Sequence, residues 1–175
     1  KRKDEPFEIT ENILNSRREI GKKGAQLESE WNKILNKKNK EIKLELEELV
    51  SNKSISKIGE MIYDEKKKYF DSKPSMATRQ CSSSVIETMT NIIPELIGGS
   101  ADLSGSNNTK TNNSKIISSK NFNGNYIHYG VREHGMAATM NGLALYNGLI
   151  PFGGTFLIFS DYCNPSIRLS SLMGL

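Results

Sequence analysis

Cysteine, histidine and tryptophan are scarce in this chain of 175 residues, and each scarcity narrows the field. The two cysteines, Cys81 and Cys163, stand far apart with no partner motif around them. That excludes a disulfide framework and a cysteine-rich metal centre, and it makes a reducing compartment, the cytoplasm, the expected setting. The two histidines, His128 and His134, lack the spacing of metal ligands. No apolar run is long enough to cross a membrane. Zinc-finger spacing is missing, and no Lys/Arg cluster is interleaved with aromatic residues, so no nucleic-acid partner is expected despite a pI near 9.0. Neither a dinucleotide fingerprint nor a phosphate-loop pattern occurs, and no internal repeat is visible.

Hydrophobic residues are also few, at 36% with a mean hydropathy of -0.51. The charges explain this. Residues 1–80 carry 19 Lys+Arg and 15 Asp+Glu, whereas residues 81–175 carry five of each. In the first part acids and bases alternate, as on solvated helix faces. Ile13, Leu14 and Ile20 predict a helix capped by Thr10 and stopped at Gly21. Leu27, Trp31, Ile34 and Leu35 predict a second helix, and Ile42, Leu46, Leu49 and Val50 a third, after a polar break at residues 36–40. A weaker helical pattern covers residues 54–70. These narrow stripes are expected to cover something larger rather than form a core of their own. The chain begins at Lys1 rather than Met and stops just after an apolar helical pattern, so both ends are expected to be cuts through a larger protein.

After the linker signal Lys73-Pro74-Ser75 the texture changes. A helix is predicted over residues 76–93, ended by Pro94, then a short buried strand from Glu95 running into a glycine turn at Gly98-Gly99-Ser100-Ala101-Asp102. Residues 104–123, rich in Asn, Ser, Lys and Thr, read as a long exposed loop. Strands follow at Tyr126-Ile-His-Tyr and Leu149-Ile-Pro-Phe, separated by a helix of small residues from Arg132 onward. A last helix spans residues 160–173 with Pro165 in its first turns. Alternation of strand and helix predicts an α/β fold with a parallel sheet, whose ligands bind beyond the carboxyl ends of the strands.

Taken singly, the residues that could carry chemistry have ordinary explanations. Glu133 in a first helical turn complements the helix dipole. Asp102 after two glycines is a turn or cap residue. Phe156, Phe159 and Tyr162 at intervals of three form a core stripe as readily as a cup for a flat ring. Arg79 is a phosphate grip or a surface charge.

Together they form a series. Ala77-Thr-Arg79 is followed by Pro94-Glu-Leu-Ile-Gly-Gly-Ser-Ala-Asp-Leu103, Ser106-Asn107, Tyr129-Gly-Val-Arg-Glu-His134, Met140-Asn-Gly142, Gly153-Gly-Thr-Phe-Leu157 and Arg168-Leu-Ser. In order and spacing this resembles transketolase, over roughly residues 76–175. The resemblance implies a pyrimidine-binding α/β domain and thiamine diphosphate as cofactor, with transfer of a two-carbon ketol unit from a ketose phosphate to an aldose phosphate, as in the pentose phosphate pathway. Glu133 matches the family's catalytic glutamate, which shares a proton with a ring nitrogen of the aminopyrimidine. Phe156, Phe159 and Tyr162 match its aromatic pocket, Asp102 and Leu103 positions lining the cofactor, and Arg79 and Ser106 positions holding the sugar phosphate. Residues 1–75 match a charged helical tail and linker of a preceding diphosphate-binding domain. The Gly-Asp-Gly motif that binds diphosphate and metal in the family does not occur in this chain. Mg2+ or Ca2+ would therefore be held by that other domain, and no metal ligand is expected here. A homodimer with the active site between subunits is implied. The alternatives are a dihydroxyacetone synthase-like ketol transferase and a non-catalytic transketolase-like subunit.

Overall fold

The computed structural model describes residues 7–51 and 55–175, and the charged lead-in to Pro6 lies outside them. The chain divides into two units, Lys1–Glu47 and Glu48–Leu175. In the first, helix α1 (Glu11–Asn36) runs unbroken through Gly21 and Gly24 and leads by a short turn into α2 (Lys40–Val50), which continues into the second unit. The expected stop at Gly21 does not occur. A glycine in a helix interior costs only about 1 kcal/mol relative to alanine, too little to break 26 residues of helix. The helix carries no buried residue, and Leu27, Trp31 and Ile34 of its apolar stripe are all exposed. Asn39 caps α2, its side-chain oxygen accepting the Ile42 N–H at 2.9 Å.

The second unit is built on a three-stranded parallel sheet in the order β2–β1–β3. Strand β1 (Leu96–Ser100) is central, pairing with β2 (Tyr126–His128) on one edge and β3 (Ile150–Gly154) on the other. Ser100 aligns with both His128 and Gly154, so all three strands end level. Glycine is required inside β1, because a side chain at Gly99 would meet the Ile127 carbonyl. Helix α6 (Glu133–Tyr146) crosses from β2 to β3. It is built largely of small and apolar residues and packs closely on the sheet edge: a methyl group on Gly153 would lie 2.5 Å from the Met140 sulfur. The core joins Ala101, Tyr129, Met136, Ala137 and Cys163, with Ile127 and Met140 against it. Complete burial of a side chain such as Met136 contributes about 2 kcal/mol.

Helix α3 (Ile55–Ser72) packs against α4 (Thr78–Ile92). Thr88 donates to Glu65 across that contact at 2.8 Å. The Lys73-Pro74-Ser75 signal lies in the non-helical segment between these helices. The last helix, α7 (Ser160–Met173), carries Pro165 in its second turn, inside the helix, where the ring removes the bond its N–H would make to the Asp161 carbonyl. The segment read as a long exposed loop is more ordered than that. It opens with a helical turn, α5 (Ser104–Asn107), buries Thr109 and Thr111, and forms a bridge between Ile116 and Tyr126. Its Asn, Ser and Thr side chains account for this, since they bond neighbouring backbone and one another. Among the described residues no helix is long and apolar enough to cross a membrane.

Candidate functional site

Because the strands end level, the segments that follow them emerge side by side. β1 delivers Ala101-Asp102-Leu103, β2 delivers Tyr129 to Glu133, and β3 delivers Thr155-Phe156 and the turn after it. Five residues singled out in the sequence, Asp102, Leu103, Glu133, Phe159 and Tyr162, meet around one cleft of about 420 Å³, with Ala101 and Val131 completing its walls. That is the size range of small-molecule sites.

Glu133 reaches this cleft through a turn assembled from its neighbours. Gly130 has φ 69°, a left-handed conformation that glycine adopts without penalty. The Arg132 side chain folds back so that its Nη1 donates to the Tyr129 carbonyl at 3.0 Å, passing so near Gly130 that a Cβ there would lie 2.5 Å from it. The chain then turns into α6 with Glu133 in the first turn, half-buried. From the facing helix α7, the Cys163 thiol donates to the Glu133 backbone carbonyl at 3.4 Å. Burial pushes the Cys163 thiol up from its ordinary range, and the negative charge of Glu133 adds to the rise. The Ser166 hydroxyl meets His134 Nδ1 at 3.2 Å, so α7 ties down two successive residues at the start of α6.

The aromatic residues form a stack. Phe156 and Phe159 lie 6.2 Å apart between centroids with planes 7° apart, and Phe159 and Tyr162 lie 6.2 Å and 24° apart. The turn over Leu157–Phe159 is a 3-10 helix, in which residues three apart eclipse one another. An interval of three therefore sets Phe159 against Phe156, and Tyr162 follows in the first turn of α7, where residues three apart are again neighbours. Tyr162 and Phe156 remain substantially exposed, at 63% and 42%. Asp102 is also exposed and has φ 61°, a left-handed conformation that costs a residue with a Cβ some strain.

Not every candidate lies at this cleft. Arg79 and Ser106 line a second one, of about 780 Å³, together with Phe156, Asn107 and the Gly153-Gly154-Thr155 end of β3. Arg79 sits in the first turn of α4, which carries no acidic residue. At the head of that helix Gln80 accepts the Ala77 N–H at 2.8 Å. Phe156 thus belongs to the second cleft while its ring touches the stack of the first.

Sequence reasoning did not find Val131 as a cleft wall, Arg132 as the clasp of the turn, or Cys163 and Ser166 as anchors for α6. Arg132 alone carried a local signal, being a long donor two residues after a glycine that leaves room for it.

Comparison with known proteins places this geometry in a family. The model of the transketolase pyrimidine-binding domain matches residues 74–175. A curated transketolase from Cereibacter sphaeroides is 41% identical over 169 residues, covering 97% of this chain and 25% of that protein. The crystal structure of a transketolase from Campylobacter jejuni aligns over 86% of this chain and 21% of its own, with 32% identity and a TM-score of 0.64. A transketolase from Pichia stipitis in complex with sedoheptulose 7-phosphate aligns over 57% of this chain and 16% of its own, with 42% identity and a TM-score of 0.55. The chain spans about a quarter of the length of the curated relatives it matches.

Proposed function

The chain belongs to the transketolase family through its pyrimidine-binding domain, and from that premise we propose that it supplies the pyrimidine half of a thiamine-diphosphate site in a larger enzyme. That enzyme transfers a two-carbon ketol unit from a ketose phosphate to an aldose phosphate. One observation carries the reading: a carboxylate and two stacked rings surround a single cleft beyond the carboxyl ends of a parallel sheet.

The residues present fit the cofactor's base. A flat heteroaromatic ring with nitrogens along its edge needs a face contact and an edge partner that can exchange a proton. Phe159 and Tyr162 offer the first and Glu133 the second. When bound, thiamine diphosphate supplies the carbanion stabilisation that lets a carbon–carbon bond beside a carbonyl break and re-form. Glu133 holds a proton on a carboxylate oxygen against a ring nitrogen and takes it back in each cycle. The rings of Phe159 and Tyr162 orient the base and exclude water from its face. Asp102 and Leu103 line the same cleft. In the second cleft Arg79 grips the substrate's phosphate, a task suited to a guanidinium fork, and Ser106 adds a hydroxyl. The α4 N-terminus, free of acids in its first turn, favours the same anion.

Residues 1–75 act as the tail of a preceding diphosphate-binding domain and its linker, and residues 76–175 as part of the pyrimidine domain. The preceding domain holds the diphosphate with Mg2+ or Ca2+. The site is shared between two copies of the enzyme in a homodimer. An exposed apolar rim beside the cleft, Val131, Leu157, Ile158 and Tyr162, supports this, since patches of that kind are partner surfaces.

Ketol transfer from xylulose 5-phosphate to ribose 5-phosphate by the full-length enzyme, with and without thiamine diphosphate and magnesium, tests the reading. Product formed only with the cofactor is expected. A folded, cofactor-loaded dimer that forms none would overturn it.

A further inference from the structure

A chain of hydroxyl and amide groups, most of them buried, runs from the end of β1 along the second cleft. It begins at Ser100, the last residue of β1, which is fully buried. The Ser100 hydroxyl donates to the Gly154 carbonyl at 3.2 Å, accepts the Leu103 N–H at 3.1 Å and accepts the Asn107 side-chain amide at 2.8 Å. The Asn107 side-chain oxygen in turn accepts the Thr109 hydroxyl at 2.9 Å. Thr109 Oγ1 lies 2.8 Å from the Tyr126 hydroxyl, and Tyr126 donates to Ser104 Oγ at 2.8 Å. Tyr126 is itself 0% exposed, its ring set edge-on to His128 at 5.2 Å.

Donors and acceptors can be counted along this path. Tyr126 has one proton, given to Ser104, so the Thr109–Tyr126 bond would need the Thr109 proton, which is also aimed at Asn107. Thr109 therefore shares its proton between Asn107 and Tyr126, and the Ser104 contact is the one that Tyr126 alone supplies. Ser104 opens the four-residue turn α5, and Ser106 lies inside it. The backbone holds α5 weakly. The N–H groups of Ser106 and Asn107 both return to the Leu103 carbonyl, at 2.9 and 2.8 Å, and four residues cannot sustain a helix alone. Two side-chain ties fix it to the sheet: Tyr126 at its first residue and Ser100 at its last.

We propose that Tyr126 is a positioning residue for the phosphate grip: its buried hydroxyl sets the turn that presents Ser106 to the cleft it shares with Arg79. This rests on the reading of Ser106 and Arg79 given above. Tyr126 lines neither cleft and touches no reacting group. Its effect is confined to the phosphate end, since the Leu103 side of the path is held by Ser100 independently.

Tyr126→Phe in the full-length enzyme tests this, because it removes one oxygen and keeps the buried ring. The KM for a phosphorylated ketose donor should rise about threefold to tenfold, the loss expected for one buried hydrogen bond that positions a binding group, with kcat little changed. The KM for hydroxypyruvate, an unphosphorylated donor, should not move. Ser104→Ala breaks the same contact from its half-buried side, should show the same split, and decides the matter if the Tyr126 variant does not fold. Equal rises for both donors, or none for either, would overturn the proposal. Amide hydrogen exchange at Ser106 and Asn107 gives a reading that needs no activity: exchange should quicken in Tyr126→Phe relative to the rest of the sheet. Unchanged exchange would overturn the proposal. If the wild-type enzyme shows no ketol transfer, the functional reading fails at that step, and the exchange measurement still decides whether Tyr126 holds the turn.

Discussion

Replacing Glu133 with glutamine isolates one proton. Length and shape are kept, and the bond from the Cys163 thiol goes to the backbone carbonyl of residue 133, so it survives the change. The Arg132 clasp and the first bond of α6, from the Met136 N–H to the Arg132 carbonyl at 2.7 Å, are also untouched. What disappears is a carboxylate able to hold a proton and return it. A positioned acid–base group contributes about 10²–10⁴-fold to rate, so turnover should fall by that factor, a barrier rise of about 3–5 kcal/mol. Folding should suffer far less. The helix loses one negative charge from its first turn, which costs about 0.3–1 kcal/mol. The variant is therefore expected to be folded and slow. Cys163 provides a second readout. Its thiol is pushed up first by burial and then by the charge of Glu133; glutamine leaves the first cause and removes the second, so the thiol should titrate lower than in the wild type but still above its ordinary value. The assay is steady-state ketol transfer at saturating cofactor, with thermal unfolding and a pH titration of thiolate absorbance on the same preparations. Reading the titration as variant minus wild type cancels other cysteines. A folded variant with turnover within about threefold of wild type would refute the proton-transfer role, because it falls below the range such groups contribute. An unmoved thiol titration would refute the electrostatic coupling between residue 133 and Cys163.

Arg79→Ala should raise the KM for phosphorylated sugars while leaving kcat nearly unchanged, because a phosphate clamp holds ground and transition states alike; an equal loss on unphosphorylated donors would remove that role. Alkaline pH should weaken this fold. Burial pushes up both the Tyr129 phenol and the Cys163 thiol, whose ordinary values are 10.0 and 9.0. Below about pH 8 both groups are largely protonated whether the chain is folded or unfolded. Above it the unfolded chain releases protons that the folded one still holds, so stability falls as pH rises. Tyr129→Phe should soften that fall in thermal unfolding scans, and an unchanged slope would show that Tyr129 contributes nothing to it.

The helices were legible where periodicity was strong and stops were chemical. α7 was read over its actual span because its apolar positions run at helical spacing to Met173, even though Pro165 lies inside it. β1 was visible as a short apolar run, but the glycines read as its closing turn lie inside the strand, where they let the neighbouring strands close on it. The stop expected at Gly21 failed because glycine is a weak breaker once a long helix has nucleated. The segment after Leu103 was misread for a different reason. Asn, Ser and Thr look alike in exposed loops and in buried networks, and only the position of their partners separates the two. Thr109 and Thr111 are buried because Tyr126 and Ser114 stand opposite them, a pairing across up to 17 residues that no local pattern announces.

The same limit shaped the reading of the site. Resemblance put Arg79, Ser106, Asp102, Leu103, Glu133 and the three aromatic residues on one roster. The fold distributes them over two clefts, and the ring stack explains how these can still serve one reaction. Phe156 lines the cleft of Arg79 and Ser106, while Phe159 and Tyr162 line that of Glu133. The three rings are nearly parallel, so a single stack forms a wall of both. Under the proposed function, the sugar phosphate is then held on one side of that stack and the cofactor's base on the other. Ser100 bonds to Leu103, a wall of one cleft, and to Asn107, a wall of the other, and to the Gly154 carbonyl at the end of β3. Under that reading, a substrate gripped by its phosphate would reach the cofactor at a distance set by short turns tied to the ends of the sheet. That is the arrangement expected where most of the chemistry belongs to a cofactor and the protein's contribution is orientation.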